Sequence, residues 1–437
     1  MRDFSVLPQI DKILRHKKFR DFNKGILTFI ARNTLENLRK NMNFINQDEI
    51  FTLIENEYKK FNNSSLQKLI NATGIVIHTN LGRSVLDAEI WDNVKDFACG
   101  YCNLEYDLEK GTRGNRYDYA AFLLSALFGC EDALVVNNNA AAVFLVLNTF
   151  AKDAKTIVSR GELVEIGGSF RIPEVMNEGG TELKEVGTTN KTRLEDYESA
   201  IDESVKMLLK VHKSNYEIIG FTSEVSINEI AHLARNKGIL SYYDLGGGAV
   251  LNLKSMGAEK CVAEVLKSGV DLLSFSGDKL FGSIQAGIIL GSHELIAKLR
   301  KNQLLRMLRS DKITLALLCE SLKAYLDKNY DRIPTIWALE RSLSELEKLA
   351  NNLNSKISNK AQIISTWTFA GGGTLPNRKI ASVALAFSGN AKALESKFRS
   401  KNVIGRIENE KFLLDLRSVL PSDENALIEA IKGVFNE

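Results

Sequence analysis

The sequence predicts an α/β protein: a mostly parallel, seven-stranded sheet covered by helices, with a helical segment before it and a small α+β domain after it. Three observations predict this architecture. From about Thr73 onward, short β-rich runs alternate with helical stretches, the pattern of βαβ units. The first seventy residues show helical spacing only, and the region 313–437 reads as long helices followed by strand–helix pairs. A chain of 437 residues, 44% hydrophobic and 25% charged, has the length and composition for one large domain with smaller companions.

Taken in order, residues 1–68 form short amphipathic helices, clearest where Ile50, Phe51, Ile54 and Tyr58 recur on one face. Residues 69–312 form the large α/β domain. Its expected strands are Gly74–His78, Ala133–Val136, Thr156–Ser159, Met207–Val211, Leu240–Asp244, Asp271–Ser276 and Ala286–Leu290, with helices at Ile227–Arg235 and Glu259–Lys267 between some of them. Residues 313–437 begin with a helix carrying Leu315, Leu318, Leu322, Tyr325 and Leu326. A second helix carries Leu339, Leu343, Leu346, Ala350 and Leu353. The α+β tail follows, with strands near Ser382–Phe387 and Phe412–Leu416 and helices near Ala391–Ser400 and Asp423–Phe435.

The net charge of +3 gives no bulk sign of a nucleic-acid partner, but the charge is polarised. The first seventy residues hold thirteen Lys and Arg against eight Asp and Glu, leaving that segment at +5 and the rest at −2. No apolar run reaches membrane-spanning length, and the start, Met1 to Pro8, lacks the basic-then-apolar pattern of a secretory signal. Five scattered cysteines suit free thiols in a reducing compartment, so a cytoplasmic location is expected. Cys99 and Cys102 form a C-x-x-C with no second pair at zinc spacing, and are read as ordinary thiols.

The most informative stretch runs from Asp271 to Gly282, where a buried strand ends in small polar residues and then presents Lys279 on a turn. Carboxyl ends of strands are where open parallel sheets bind ligands. A lysine there becomes a nucleophile when burial lowers its pKa. One strand earlier, Asp244 is followed by Gly246, Gly247 and Gly248, so the acid and the lysine emerge side by side. That pair matches the needs of pyridoxal 5'-phosphate, in which a lysine carries the cofactor and a carboxylate keeps the pyridine nitrogen protonated. Asn137, Asn138 and Asn139 lead from a strand into an Ala-rich helix whose N-terminus suits the cofactor phosphate, and Ser276 adds a hydroxyl. Ser276 and Lys279 also fit the S-x-x-K of serine acyl enzymes. That reading fails because Ser276 closes a strand and no S-D-N or K-T-G is present.

These residues, with several longer blocks, resemble the bacterial selenocysteine synthase family, the L-seryl-tRNA(Sec) selenium transferases, among the fold-type I pyridoxal enzymes. The blocks are Asn71–Arg83, Asn103–Glu109 with Gly111–Arg116, Val135–Ala142, Arg160–Pro173, Gly187–Asn190, the lysine segment and Leu304–Lys312. The resemblance implies conversion of seryl-tRNA(Sec) to selenocysteinyl-tRNA(Sec) by β-elimination of water and addition of selenium from selenophosphate. It implies that Lys279 takes the α-proton, that Arg83, Arg306 and Arg309 bind the anionic selenium donor, and that Asp278 serves proton transfer or holds basic neighbours. Arg suits such oxyanions because its planar fork donates bidentately and stays charged. Arg113 and Arg116 lie in a basic loop that the same reading turns toward RNA or a neighbouring subunit. The basic segment 1–68 is the expected tRNA-binding domain, and a homo-oligomer, a ring of dimers, is the expected assembly.

Fold-type I enzymes acting on free amino acids usually hold the α-carboxylate with a small-domain arginine. Here the substrate would be an ester, so Arg406 and Arg417 are open in role. Cys130 stands where the family pattern has glycine, and is read as packing; of the five histidines only His78 neighbours a motif block. No residue is assigned to deliver a proton to the leaving hydroxyl. The alternative within the same chemistry is a pyridoxal phosphate-dependent lyase acting on a free amino acid. The alternative outside it is a non-catalytic RNA-binding protein.

Overall fold

The structure is a computed structural model that describes residues 7–41, 46–166, 170–257, 259–375 and 377–436. Gly167, Gly168 and Ser169 of the Arg160–Pro173 block, and Met1 to Val6 at the start, lie outside the described residues. The chain divides into two compact units, Met1–Lys68 and Leu69–Glu437.

The first unit is a helical bundle of α1 (Ile10–Arg15), α2 (Lys24–Asn41) and α3 (Gln47–Asn63). Helix α3 starts at a capping box: the Asn46 side chain accepts from the Glu49 N–H, and Glu49 accepts in return from Asn46. Ile50, Phe51, Ile54 and Tyr58 are all buried against Ile13, Phe19, Leu27 and Leu35, so the helical spacing read from sequence is the packing face. Phe22 stacks on Tyr58 at 4.0 Å, and the Tyr58 hydroxyl accepts from the Asn23 N–H at 2.9 Å. Several of this unit's acids are already paired, Glu55 with Lys18 and Lys59, Glu57 with Lys60, and Glu36 with Lys40.

The second unit is built on a seven-stranded sheet: β1 (Asp132–Val136), β2 (Lys155–Ser159), β3 (Glu182–Val186), β4 (Val205–Val211), β5 (Leu240–Gly246), β6 (Leu272–Ser276) and β7 (Gly287–Gly291). Their order across the sheet is β1-β7-β6-β5-β4-β2-β3. Only β7 runs antiparallel, to β6 on one side and β1 on the other. Six of the seven expected strands are present. The expected strand Gly74–His78 is not in the sheet: it makes isolated bridges, Thr73 to Asp415 and Ile77 to Gly371, and so ties the large domain to the small one. Its place is taken by β3, an edge strand whose Glu182-Leu-Lys-Glu-Val186 sequence is too polar to show an apolar run.

Helix α4 (Asn139–Phe150) leaves β1 with its Ala-rich face buried, and α5 (Lys312–Leu326) packs Leu315, Leu317, Leu318 and Leu322 into the same core as the sheet. Burying each such leucine contributes about 1.5–3 kcal/mol relative to exposure. The expected helix carrying Leu339 and Leu343 is two helices, Pro334–Glu340 and Leu343–Lys356, because Ser342 caps the second through Glu345 and breaks the first. The small domain is an antiparallel sheet of β8 (Gln362–Thr368), β9 (Ile380–Phe387), β10 (Arg406–Glu408) and β11 (Lys411–Asp415), in the order β8-β9-β11-β10. Among the described residues no helix is long and apolar enough to cross a membrane.

Candidate active site

Lys279 sits on the turn between β6 and β7. The turn is closed by N–H donations from Gly277 to the Ala286 carbonyl (2.8 Å), Ser283 to Gly277 (2.8 Å) and Gly282 to Lys279 (2.9 Å). It is tied to the neighbouring strand end where the Phe281 N–H donates to the Gly247 carbonyl at 3.3 Å. From behind, the Tyr325 hydroxyl of α5 donates to the Phe281 carbonyl at 2.6 Å, and Ser321 meets Ser283 at 2.7 Å. A rigid scaffold therefore presents the lysine, whose residue is 6% exposed.

Asp244, also 6% exposed, lies on β5 in register with Ser274 of β6. Its Oδ1 accepts from Asn139 Nδ2 at 2.8 Å. Burial pushes the Asp244 carboxyl above its ordinary value, opposed by the Asn139 hydrogen bond, the charge of Lys279 and the Gly246 N–H. Burial pulls the Lys279 ammonium down, opposed by Asp244 and assisted by Arg83. The pair thus supplies what a Schiff-base lysine needs, a lowered pKa beside a fixed acid.

Asn138 caps α4, its Oδ1 accepting from the Ala141 N–H at 2.8 Å, so its side chain shapes the helix start rather than projecting into the site. Gly287 makes this turn possible: a Cβ there would lie 2.1 Å from the Asn138 carbonyl oxygen. Ser276 is buried at the last position of β6.

Arg83 reaches the same place from the Asn71–Arg83 block. Its Nη1 donates to Asp278 Oδ2 at 2.8 Å, and the Ser84 N–H donates to the Asp278 carbonyl at 3.3 Å. Arg83 has a left-handed backbone, φ 65°, closed by its own N–H donating to the His78 carbonyl at 3.0 Å. His78 therefore shapes the arginine's turn, and its Nδ1 accepts from the Asn80 N–H at 3.2 Å.

Arg306 and Arg309 are not brought to Arg83 within this chain. They line a separate cavity of about 350 Å³ with Arg113, Arg116 and Arg300. Glu105 holds the cluster, accepting from Arg113 (3.0 Å) and Arg116 (2.8 Å) and lying 4.0 Å from Arg309. The Arg116 hydrogen bond, with the other arginine charges, keeps the Glu105 carboxyl below its ordinary value. The backbone of this segment nonetheless runs along the end of β1: Asn137 N–H donates to the Leu308 carbonyl at 2.9 Å, and Val136 bridges Arg309.

Sequence reasoning missed His212 and Glu259. His212 follows β4 directly, its N–H donates to the Asp244 carbonyl at 2.9 Å, and its Nε2 lies 3.4 Å from Glu259 Oε2. Burial lowers the imidazole to about 4 and raises the Glu259 carboxyl to about 7. The available signal was positional: Val211 pairs in register with Asp244, which puts His212 at the same sheet edge. All five cysteines are free, with Cys130 Sγ 3.8 Å from Ser125 Oγ. No group of three or more His, Cys, Asp or Glu among the described residues is arranged to hold a metal.

The donor set fits pyridoxal phosphate. Asn137 Oδ1, Asn139 Oδ1, Asp278 Oδ1 and His212 Nδ1 are buried polar atoms with no partner, on the strand ends and turns around Lys279 and Asp244. Orphaned polar atoms so gathered mark a place built for a polar group. Lys279 could carry the cofactor covalently, Asp244 could hold its pyridine nitrogen, and the start of α4 could meet its phosphate.

A profile of the L-seryl-tRNA selenium transferase family matches residues 69–420. The chain is 54% identical to the L-seryl-tRNA(Sec) selenium transferase of Campylobacter concisus over 437 residues, 99% of each chain. It is 51% identical to that of Nautilia profundicola, across 100% of this chain and 98% of the other. Among solved structures, D-glucosaminate-6-phosphate ammonia-lyase matches with a TM-score of 0.61 at 19% identity, covering 87% of this chain and 98% of that one, a likeness of fold. With a fold-type I scaffold, a lysine–aspartate pair at its sheet edge and full-length relatives of one name, this chain belongs to the pyridoxal phosphate-dependent L-seryl-tRNA selenium transferase family.

Proposed function

We propose that the protein converts seryl-tRNA(Sec) to selenocysteinyl-tRNA(Sec) in the cytoplasm, with selenophosphate as the selenium donor. When bound, pyridoxal phosphate supplies an electron sink for the carbon that loses its proton. Lys279, buried and lowered in pKa, would hold the cofactor and would be the base that takes the α-proton. Asp244, oriented by Asn139, would hold the pyridine nitrogen in its protonated form. Arg83, held by Asp278, fixes one anionic oxygen of the incoming donor, and the Arg306–Arg309 cluster, which stands in a separate cavity of this chain, reaches that anion from a neighbouring subunit of the oligomer.

One observation carries the choice of an esterified substrate over a free amino acid. Both small-domain arginines that could grip a carboxylate are already engaged. Arg406 Nη1 pairs with buried Asp415 at 2.6 Å and Nη2 donates to Thr366 and Trp367, while Arg417 is buried with its two Nη groups donating to the carbonyls of Ala338, Leu339 and Ala381. A seryl ester has no free α-carboxylate to be gripped. The test is to give the purified protein seryl-tRNA(Sec) and selenophosphate and identify the aminoacyl product. Turnover of free serine at comparable efficiency without tRNA would favour the lyase reading instead.

Two further parts of the proposal concern assembly. The basic unit 1–68 binds tRNA: Arg15, Lys17, Arg20, Arg32 and Arg39 form no ion pair among the described residues, leaving charge for phosphates. The protein works as a homo-oligomer, a ring of dimers. This is supported by Trp91, Tyr106, Leu108, Tyr119 and Phe122, which stand exposed within one stretch of the large domain.

A further inference from the structure

A second cavity, about 720 Å³, opens at the carboxyl ends of β2, β3 and β4, on the same sheet edge as Asp244 and Lys279. Its lining includes Thr189, Asn190, Tyr216, Ser223 and Arg378. His212 joins it to the catalytic pair, since His212 lines the cavity and its N–H donates to the Asp244 carbonyl. The size is within the usual range for a small-molecule pocket.

The cavity's charges nearly cancel: four glutamates face two lysines and one arginine, and burial pushes Glu259 toward its neutral form. Glu162 pairs with Lys210 at 2.7 Å, Glu224 with Lys213, and Glu259 lies 3.4 Å from His212. Glu217 accepts from Asn377 at 2.6 Å, and Arg378 donates to the carbonyls of Lys254 and Ser255. Charges of both signs therefore nearly balance among hydroxyl, amide and backbone groups, a surface suited to a polar group of no net charge. This is the opposite of the arginine cavity, where five arginines face one glutamate.

At its rim the loop between Tyr216 and Thr222 holds two large apolar side chains almost wholly in solvent, Ile219 at 83% and Phe221 at 88% exposure. The Phe221 carbonyl accepts from Asn190 Nδ2 at 2.7 Å, which anchors the loop's backbone, and Ile218 and Thr222 of the same loop line the cavity. An exposed aromatic ring on the loop that bounds a polar cavity of near-zero net charge is an arrangement that binds an unpaired nucleobase by stacking.

We infer that this cavity receives the 3'-terminal nucleoside of the aminoacyl-tRNA, its ribose among the hydroxyl and amide groups and its base on Phe221. The inference rests on the proposed function and adds how the ester end is seated. It leaves the arginine cavity for the selenium donor, so the two substrates enter by chemically distinct routes.

The experiment uses the full-length holoenzyme and two variants, Phe221→Ala and Phe221→Trp. Loss of one base–aromatic stack predicts that KM for seryl-tRNA(Sec) rises about 5- to 150-fold in Phe221→Ala. Phe221→Trp should restore it, with the cofactor's visible band and the oligomeric state unchanged in both. A tRNA(Sec) ending in 8-azidoadenosine should photo-crosslink to the 216–223 loop. This arm is read without turnover, so a wild-type protein that made no selenocysteinyl product would overturn the parent reading separately. An unchanged KM, a crosslink elsewhere, or a Phe221→Ala protein with altered oligomeric state would overturn this one.

Discussion

Replacing Gly287 by alanine tests the cofactor cradle from a position that touches no ligand. An added Cβ would stand 2.1 Å from the Asn138 carbonyl oxygen, 2.5 Å from its carbon and 2.8 Å from Val136 Cγ2. Two of these are backbone atoms in the turn that starts α4, so no side chain can rotate aside. An ordinary carbon–oxygen contact is about 3.3 Å, so the turn must retreat by about 1.2 Å. Overpacking of this kind costs about 1–3 kcal/mol of stability. The same retreat carries Asn139 away from Asp244, stretching a 2.8 Å bond toward about 4 Å, beyond hydrogen-bond range. A hydrogen bond to a charged group contributes about 1.5–3 kcal/mol, so cofactor affinity should fall about 10- to 100-fold. The assay titrates pyridoxal phosphate into cofactor-free protein by its absorption band, beside urea denaturation. Asn139→Ala, which removes the bond without moving backbone, should lose similar affinity with a smaller stability loss. A Gly287→Ala protein with wild-type affinity and an unchanged denaturation midpoint would refute the reasoning.

Asp278→Asn keeps the volume but removes the charge that anchors Arg83, and should lower turnover about tenfold while the cofactor spectrum persists. Arg306→Ala combined with Arg309→Ala should raise KM for the selenium donor with little change for seryl-tRNA(Sec), measured by varying each substrate in turn. Glu259→Gln should alter the pH dependence of stability. The folded carboxyl is raised from 4.5 to about 7, so it favours folding fully below pH 4.5 and loses that contribution as pH rises through about 7, by at most about 3 kcal/mol. His212 runs the other way between about 4 and 6.5 and is common to both proteins, so the wild-type-minus-variant difference from urea melts at pH 5 and pH 8 should shrink with pH. Removing residues 1–68 should abolish tRNA binding in a filter assay and leave cofactor binding intact, because each unit has its own core.

The proposed lysine–aspartate pair was legible because it sits where two patterns cross. Lys279 and Asp244 each end a buried apolar strand with small residues, and adjacent strand ends in a wound sheet must meet. Glu182–Val186 was illegible because an edge strand needs no continuous apolar run, and Gly74–His78 misled because its apolar residues pack without joining the sheet, Ile77 buried in the large-domain core and Ile75 close to Gly371. His212 carries no local motif; only the β4–β5 register reveals it. The arginines divide similarly. Their residue type suggested anion binding, but which of them share a cavity depends on Glu105, far upstream of Arg306 in the sequence.

The position of β7 has a consequence for how the chain is made. Strand β1 is completed at Val136, yet its one neighbour in the sheet is β7, which begins at Gly287. As the polypeptide leaves the ribosome, the buried row Ala133-Leu-Val-Val136 must wait without its partner while the five strands β2 to β6 and the chain connecting them are synthesised. Nascent chains ending before β7 therefore carry an open, apolar edge and a lysine whose turn is not yet closed by Ala286. Capture of pyridoxal phosphate becomes a late event in biogenesis, and the colour it brings reports that the whole sheet has been sealed.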